Sequence, residues 1–391
     1  MAVIAPEFMK QFRCIGAECP DTCCKGWNMQ VSDENYEKYK KEAPELLESV
    51  AGEPGQYVMR RDVKTSYCVK FTEGLCGIQN KYGEAFLGDA CHFYPRVTRK
   101  LGDTVMMTAT LSCPEIARLA LFDHSPFLLD ASDMDHIMGQ AKDYLPASLS
   151  TEAAIGIYRH FIEAALDESV TAERALMRIF TVCESLERID VASWPDAVPF
   201  YLAHADSGLP APEGKPTDQC FLLQALCGLM VAAKKTGDGR LMHTVTDMQH
   251  ALHVTVRMDN LAIVALPDSD HALQTVLESW RNEHAAQYEH ILRRYLAVQL
   301  SQALFPFCGF GDTLTQRIAI IGVRLATIKL ALMCASTLSP KPLTQDEIIR
   351  AVQSIARFMD HLADPEFSVK IYQETGWLKK PRLRALLGDG I

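Results

Sequence analysis

The chain has 391 residues, 48% of them hydrophobic and 23% charged, a composition that suits a folded protein with a large core and excludes a disordered or fibrous chain. Acidic residues outnumber basic ones by 49 to 39, for a net charge of −10. That balance argues against a broad nucleic-acid face, which would be basic, and is compatible with a cationic partner without requiring one.

Residues 1–10 carry Pro6 and Glu7 where a secretory signal would need a basic flank and an unbroken apolar run, so a cytoplasmic location is expected. Eight of the thirteen cysteines then crowd into the first 113 residues, as Cys14, Cys19, Cys23, Cys24, Cys68, Cys76, Cys91 and Cys113. Disulfides are the weakest use for them: the expected compartment is reducing, the cysteine total is odd, and the chain is long enough to fold without staples. Zinc and an iron–sulfur cluster are both held by thiolates, and spacing does not choose between them. The segment has no C-x-x-C knuckle, which leaves zinc unsupported. It also misses the C-x3-C-x2-C spacing of radical enzymes, because Gly26 stands where the third cysteine would be. Neighbours Cys23 and Cys24 point in different directions and are expected to play different parts. Eight thiols exceed the needs of one four-iron cluster, so either a second metal binds or some thiols are supporting.

A break at 124–126 closes this module, taken as residues 1–125, and a helical domain is expected over 126–391. Apolar residues recur at helical spacing in Ala154, Ile157, Tyr158, Phe161, Ile162 and Ala165, and again in Leu176, Ile179, Phe180 and Cys183. Prolines 195, 199, 210, 212 and 216 with Gly208 and Gly214 predict a loop over 194–218. Tyr288, Ile291, Leu292, Tyr295 and Leu296 form another stripe, as do Leu314, Ile318, Ile321, Leu325, Ile328 and Leu332. The apolar run 318–338 is interrupted by Arg324 and Lys329, each costly in a bilayer, so it is expected to pack in a bundle and not to span a membrane. Thr344 and Glu347 have capping-box spacing ahead of Ile348, Val352, Ile355, Met359 and Leu362. Most of Cys183, Cys220, Cys227, Cys308 and Cys334 fall within apolar helical patterns, and all five are expected in the core. The fold is expected to be mainly α, a cysteine-rich module packed on an all-helical body. No strand leads into a glycine-rich nucleotide loop, and Gly309-Phe310-Gly311 and Gly237-Asp238-Gly239 read as isolated turns, so the doubly wound Rossmann-type fold is disfavoured.

Several blocks resemble the bacterial flagellin lysine-N-methylases. The first runs from Phe12 through Cys14, Gly16, Cys19, Asp21, Cys23-Cys24 and Gly26-Trp27. The second holds Cys68, Phe71, Gly74-Leu75-Cys76, Cys91-His92-Phe93-Tyr94-Pro95-Arg96 and Ser112-Cys113-Pro114. A weaker tail match covers 288–295, Leu304-Phe305-Pro306-Phe307, and Gln353-Ser354 with Arg357 and His361. The resemblance implies a protein-lysine methyltransferase that uses S-adenosylmethionine, acts on flagellin and carries a cysteine-ligated [4Fe-4S] cluster. A looser kinship with small zinc- or iron-chelating proteins supplies the competing reading, a metal-binding or redox-sensing protein without methyl transfer.

Methyl transfer to an amine needs donor binding, loss of a proton from the amine, and alignment. Under that reading Tyr94 or His92 would hydrogen-bond the amine or take its proton, and Arg96 would hold the donor's carboxylate through its planar fork. His92 and Arg96 serve equally well as supports of a metal site. Asp21 either orients the amine or caps the turn that carries Cys23, and Trp27 either packs over the metal site or stacks on adenine. Arg357 and His361, four apart on one helix, reach the site or form an outlying pair.

Overall fold

The computed structural model describes residues 2–122, 124, 126–130, 141–205, 219–260, 262–361 and 364–388. Two hydrophobic clusters organise them. The smaller lies within residues 29–87, where Met29, Val31, Tyr39, Leu46, Met59, Cys68 and Ile78 are buried. Helix α1 (Asp33–Glu42) contributes Tyr39 and starts at Ser32, whose hydroxyl accepts the N–H of Asn35 and so satisfies one free donor of the first turn. A short helix, α2 (Asp89–Phe93), carries Cys91. Its Asp89 accepts hydrogen bonds from Ser32 N at 2.6 Å and Asn35 Nδ2 at 3.1 Å, which ties α2 to the start of α1.

The larger cluster takes in both the start of the chain and the helices. Strands β1 (Val3–Ala5), β2 (Arg96–Leu101), β3 (Thr104–Ala109) and β4 (Leu129–Asp130) form a mixed sheet in the order β2–β3–β1–β4. β2 and β3 are an antiparallel hairpin, β1 runs parallel to β3, and β4 is antiparallel to β1. Gly102 at the hairpin turn has φ +61°, and a Cβ there would sit 2.4 Å from Thr151 Oγ1, so both conformation and space require glycine. Residues 3–12 and 101–127 thus belong to the main core, while residues 29–87 keep a core of their own.

Helices follow from α3 (Pro114–Phe122) through α4 (Thr151–Ala165), α5 (Ala172–Leu186), α6 (Trp194–His204), α7 (Gln219–Thr236), α8 (Gly239–Ala251), α9 (Ser269–Ser279), α10 (Ala285–Gln302), α11 (Leu314–Leu338), α12 (Gln345–His361), α13 (Pro365–Glu374) and α14 (Lys380–Leu387). The fold is mainly α. The expected stripes of α4, α5 and α10 are buried as read from their spacing. The capping box is present: Thr344 Oγ1 accepts from Glu347 N at 3.3 Å and Glu347 Oε2 from Thr344 N at 2.7 Å. On α12, Ile348, Val352 and Ile355 are buried and Met359 packs at the edge, whereas Leu362 lies outside the described residues. α11 is buried almost all round, packing on α5, α8, α10, α12 and α14. It is long and apolar enough to cross a membrane, yet 89% of its most apolar window is buried inside the protein. Within its apolar run Arg324 pairs with Asp360, and Lys329 with Glu173 and the Leu387 carbonyl.

Three expectations are corrected. Residues 194–204 are helix α6 instead of the start of a loop. Pro195 occupies the first turn, where no N–H is needed, and burial of Trp194 and Val198 offsets the one link lost at Pro199. The remainder of the expected loop, 206–218, lies outside the described residues. The body is not all-helical, because β5 (Val254–Arg257) and β6 (Ala262–Ala265) form an antiparallel hairpin. Finally, of the five later cysteines, Cys183, Cys227 and Cys334 are buried, Cys308 is only half-buried, and the Cys220 side chain lies outside the described residues.

Glu289 on α10 gives the body a pH signature. Burial and the nearby Glu173 carboxylate raise its pKa to about 7, against the Ala172 N–H, Arg293 and Lys329, which favour the anion. A carboxyl with a raised folded-state pKa binds its proton more tightly when folded, so stability falls as pH climbs from about 4.5 to 7. Glu289→Gln is expected to melt above wild type at pH 8 and to flatten this fall. Calorimetric melting at pH 5 and pH 8 checks it.

Candidate active site

The module's thiols form two sets. Cys24 shares hydrogen bonds with Cys23 and Cys76, and Cys91 feels the charges of Cys24, Cys68 and Cys76. Backbone pairing builds this set: Cys68 N donates to Cys24 O at 2.7 Å, and a tight antiparallel pairing of Phe71–Thr72 with Leu75–Cys76 brings Cys76 back toward Cys68. Cys14, Cys19 and Cys113 interact as the second set, with Cys19 Sγ donating to Asp21 O at 3.2 Å. Cys23 touches Cys24 and lies near Tyr94. Cys24 thus links Cys23 to the first set, and Cys23 also lies toward Tyr94.

Hydrogen bonding to Cys23, with burial adding, pushes the Cys24 thiol up to about 12, and burial pushes Cys113 to about 12. Cys76 and Cys91 are raised as well, since crowded, desolvated thiols resist becoming adjacent anions. Soft thiolates are the donors that iron–sulfur clusters and zinc select. Among the described residues, however, no group of three or more His, Cys, Asp and Glu side chains is arranged to hold a metal ion, and the described cysteines are free thiols. The donor chemistry fits a thiolate-held group, while the side chains keep their pairwise, free-thiol arrangement.

A cleft of about 580 Å³ opens where the module meets the helices. The module side presents Trp27, Asp89, Tyr94 and Arg96; the opposite wall is Gln299 and Gln302 of α10, Arg317 and Arg324 of α11, and Asp360 and His361 at the end of α12. The segment between α10 and α11 adds Phe310, over which Arg324 lies at 5.8 Å, and Cys308, which sits on the cleft wall beside Tyr144 instead of in the core.

α12 holds the module in place. Asp21 forms an ion pair with Arg357, each side chain about one-tenth exposed. The Arg357 guanidinium also reaches the Lys25 carbonyl, and Gln353 Nε2 donates to Asp21 Oδ2 at 2.8 Å and to the Ser112 carbonyl at 3.0 Å. Beside this clamp a hydroxyl network runs along the cleft floor. Tyr94 Oη lies 3.1 Å from Ser112 Oγ, which lies 2.8 Å from His361 Nε2. Thr110 Oγ1 is 2.9 Å from Ser112 Oγ and donates to Asp360 Oδ2 at 2.6 Å, while Asp360 Oδ1 accepts from Arg324 Nη1 at 3.2 Å. Trp27 stacks on His361 with centroids 5.4 Å apart and fixes its indole N–H on the Cys23 carbonyl at 2.6 Å. Burial holds the Tyr94 phenol well above its usual range and lowers the His361 imidazole, to which Arg357 adds and Asp360 is opposed.

Residues 160–376, more than half of the chain, match the family described as FliB lysine N-methylase C-terminal domain. The chain belongs to that family. Two relatives named lysine-N-methylase, from Salmonella typhimurium and Salmonella choleraesuis, are each 22% identical over 217 residues, 52% of this chain and 53% of theirs. A flagellar biosynthetic protein FliU of Salmonella muenchen is 26% identical over 133 residues, 32% of this chain and 79% of its own. The chain spans about half the length of the two lysine-N-methylases it matches. No solved structure matches it.

The FliB-family segment supplies the α10, α11 and α12 wall of the cleft, and the module supplies the other from sequence that precedes the match. Of the residues singled out from the sequence, Trp27, Tyr94, Arg96 and His361 line the cleft. Arg96 also lies over the Phe12 ring at 5.3 Å. Asp21 and Arg357 are joined in the clamp, so Asp21 neither caps the turn carrying Cys23 nor faces the cleft. His92 lies off the cleft, with Nδ1 3.9 Å from Glu84 and its ring edge-on to Phe93. Sequence reasoning gave no role to Ser112, Thr110, Arg324 or Asp360. The available signal was Gln353, Arg357 and His361 at steps of four, a polar line along a helix that is otherwise buried and apolar.

Breaking the clamp strands a buried charge. Arg357→Met is expected to lower stability by roughly 3–5 kcal/mol, and the double variant Asp21→Asn/Arg357→Met to lose less than the two single changes summed. Urea unfolding of the four proteins measures both quantities.

Proposed function

We propose that the chain transfers methyl groups from S-adenosylmethionine to lysine side chains of a protein, with flagellin as the substrate. The observation that carries this reading is the FliB-family match over the helices that build one wall of the cleft. The relatives' names, lysine-N-methylase and flagellar biosynthetic protein, support the reaction and the choice of substrate. The cleft volume of about 580 Å³ falls within the roughly 300–1,000 Å³ usual for small-ligand sites.

In-line transfer needs a neutral amine facing the sulfonium methyl, so the site must bind a cation beside aromatic faces and hold a carboxylate. Trp27, Tyr94 and Phe310 supply the faces. Arg96 is placed to take the donor's carboxylate, and Asp89 on the same wall to meet its ammonium. The amine nitrogen attacks the methyl carbon, the C–S electron pair leaves with sulfur, and no net electron is required.

The same reading assigns a [4Fe-4S] cluster to the module's thiols, with Cys24, Cys68, Cys76 and Cys91 as its holders and zinc as the alternative occupant. Support comes from pairwise proximity, Cys24 to Cys76, Cys76 to Cys68, and Cys91 to each of the three. Bound there, such a group would lock the first cysteine block onto the second and so fix Trp27 and Tyr94.

Titration calorimetry with S-adenosylmethionine is expected to give saturable binding that weakens about tenfold or more in Arg96→Ala, the scale of one charge-assisted hydrogen bond. Radiolabelled donor should place methyl groups on flagellin lysines. A wild-type protein that binds no donor would sink this reading in favour of a metal-chelating or redox-sensing protein. For the cluster, protein purified without oxygen should carry about four irons and four acid-labile sulfides per chain, and Cys76→Ala should lose them; zinc without sulfide would make the site a zinc site.

A further inference from the structure

We propose that Tyr94, Ser112 and His361 form a proton relay that deprotonates the incoming lysine, with His361 Nε2 as the terminal acceptor. The inference rests on the methyl-transfer reading above. It comes from three hydroxyls, one carboxylate and one imidazole whose protons can be counted.

Thr110 has a single hydroxyl proton, and the Asp360 carboxylate at 2.6 Å takes it. Thr110 Oγ1 already accepts from Ser112 N at 3.1 Å, so the shortest use for the Ser112 hydroxyl proton is His361 Nε2 at 2.8 Å. Ser112 Oγ is then an acceptor for Tyr94, 3.1 Å away. The order that results is Tyr94 O–H to Ser112 O–H to His361 Nε2, with a lone pair left on Oη of Tyr94, a residue that lines the cleft. Asp360 fixes the polarity of the line, and Arg324, by pairing with its other oxygen, keeps that carboxylate from being the acceptor.

The step balances. An N–H bond of the lysine ammonium breaks and its electron pair stays on nitrogen. The proton passes to Tyr94 Oη as the tyrosine's own proton moves to Ser112 and that of Ser112 moves to Nε2. Tyrosine and serine end as they began, and the imidazole becomes an imidazolium.

The groups around His361 suit this exchange. On its own helix stand Asp360 and Arg357; the module brings Tyr94 and Trp27; Lys25 and Asp238 share with it a second, smaller cavity of about 10 Å³. That volume is about what one water needs, roughly 10–15 Å³, so the cavity has room for a water beside His361. Burial and Arg357 favour the neutral imidazole at physiological pH, the form able to accept. His92, the other histidine near the cysteine block, borders neither cavity.

The test joins kinetics to titration of His361 itself. In wild type, the single-turnover rate of methyl transfer to flagellin should rise with pH along an acid limb whose midpoint matches the His361 imidazole titration followed by NMR and assigned with His361→Gln. His361→Gln should lose that limb and about 10²–10⁴ in rate, the usual weight of general acid–base catalysis, with donor affinity unchanged. Ser112→Ala should slow the reaction comparably and shift the His361 midpoint, and Ser112→Thr should restore both. Should Ser112→Ala not fold, Tyr94→Phe keeps the ring and removes the first hydroxyl of the line. An acid limb and rate retained in His361→Gln overturn the relay, as does a His361 midpoint indifferent to loss of the Ser112 hydroxyl. A wild type that transfers no methyl group overturns the methyl-transfer reading instead, and is told apart because the NMR coupling is measured without turnover.

Discussion

The site depends on one buried ion pair. Asp21 belongs to the cysteine block and Arg357 to α12, 336 residues away in sequence, and their pairing decides how the two parts meet. Desolvating both charges is costly unless the remaining donors and acceptors are used. Here they are: Arg357 also reaches the Lys25 carbonyl, and Gln353 bridges Asp21 to the Ser112 carbonyl while accepting from Arg240 Nε at 3.1 Å. The clamp sets the height at which the end of α12 meets the module. His361, one turn beyond Arg357, therefore arrives at Ser112 and Trp27.

The electrostatics of the cleft follow from the same packing. α11 is a core helix that carries Arg324 on a turn facing the cleft, a charge that burial would forbid without Asp360 and Gln299. Arg317 is spent on the carbonyls of Pro306 and Gly311, which hold the segment that presents Phe310. Arg99 likewise binds the Gln302 carbonyl. Several arginines in one cleft would repel a lysine-bearing substrate if their charges were unanswered. Carbonyls and Asp360 answer those of Arg99, Arg317 and Arg324.

Much of the helical body was legible because its signal is local. A stripe such as Ala154 to Ala165 needs only a period and a core, and the Thr344–Glu347 box needs only two side chains at the right spacing. The sheet was not legible. Every residue of β3 is buried, so the alternation that marks a half-exposed strand is missing, and its partner β1 lies a hundred residues earlier. Helix α6 was hidden by its two prolines: Pro195 sits in the first turn, and Pro199 inside the helix costs one backbone link that burial of Trp194 and Val198 offsets. Within the site, Trp27, Tyr94 and Arg96 were found through their places beside cysteines. Ser112, Asp360 and Arg324 were not, since a hydroxyl buried against a helix terminus has no pattern in one dimension.

The thiols and the cleft are mechanically one object. Trp27 hangs its indole N–H on the carbonyl of Cys23, and Tyr94 closes the short helix that carries Cys91, its N–H donating to Ala90 O at 3.1 Å. Ser112 immediately precedes Cys113. Trp27 and Tyr94 on the cleft wall and Ser112 behind it are therefore positioned by backbone close to a cysteine, and His361 by the clamp on Asp21 between Cys19 and Cys23. Any change that moves the thiols, whether metal loading, oxidation or loss of a ligand, must move Trp27, Tyr94 and Ser112 relative to His361. The cysteine module can in this way govern the geometry of the cleft, through a distance of a few ångströms between hydroxyl and imidazole.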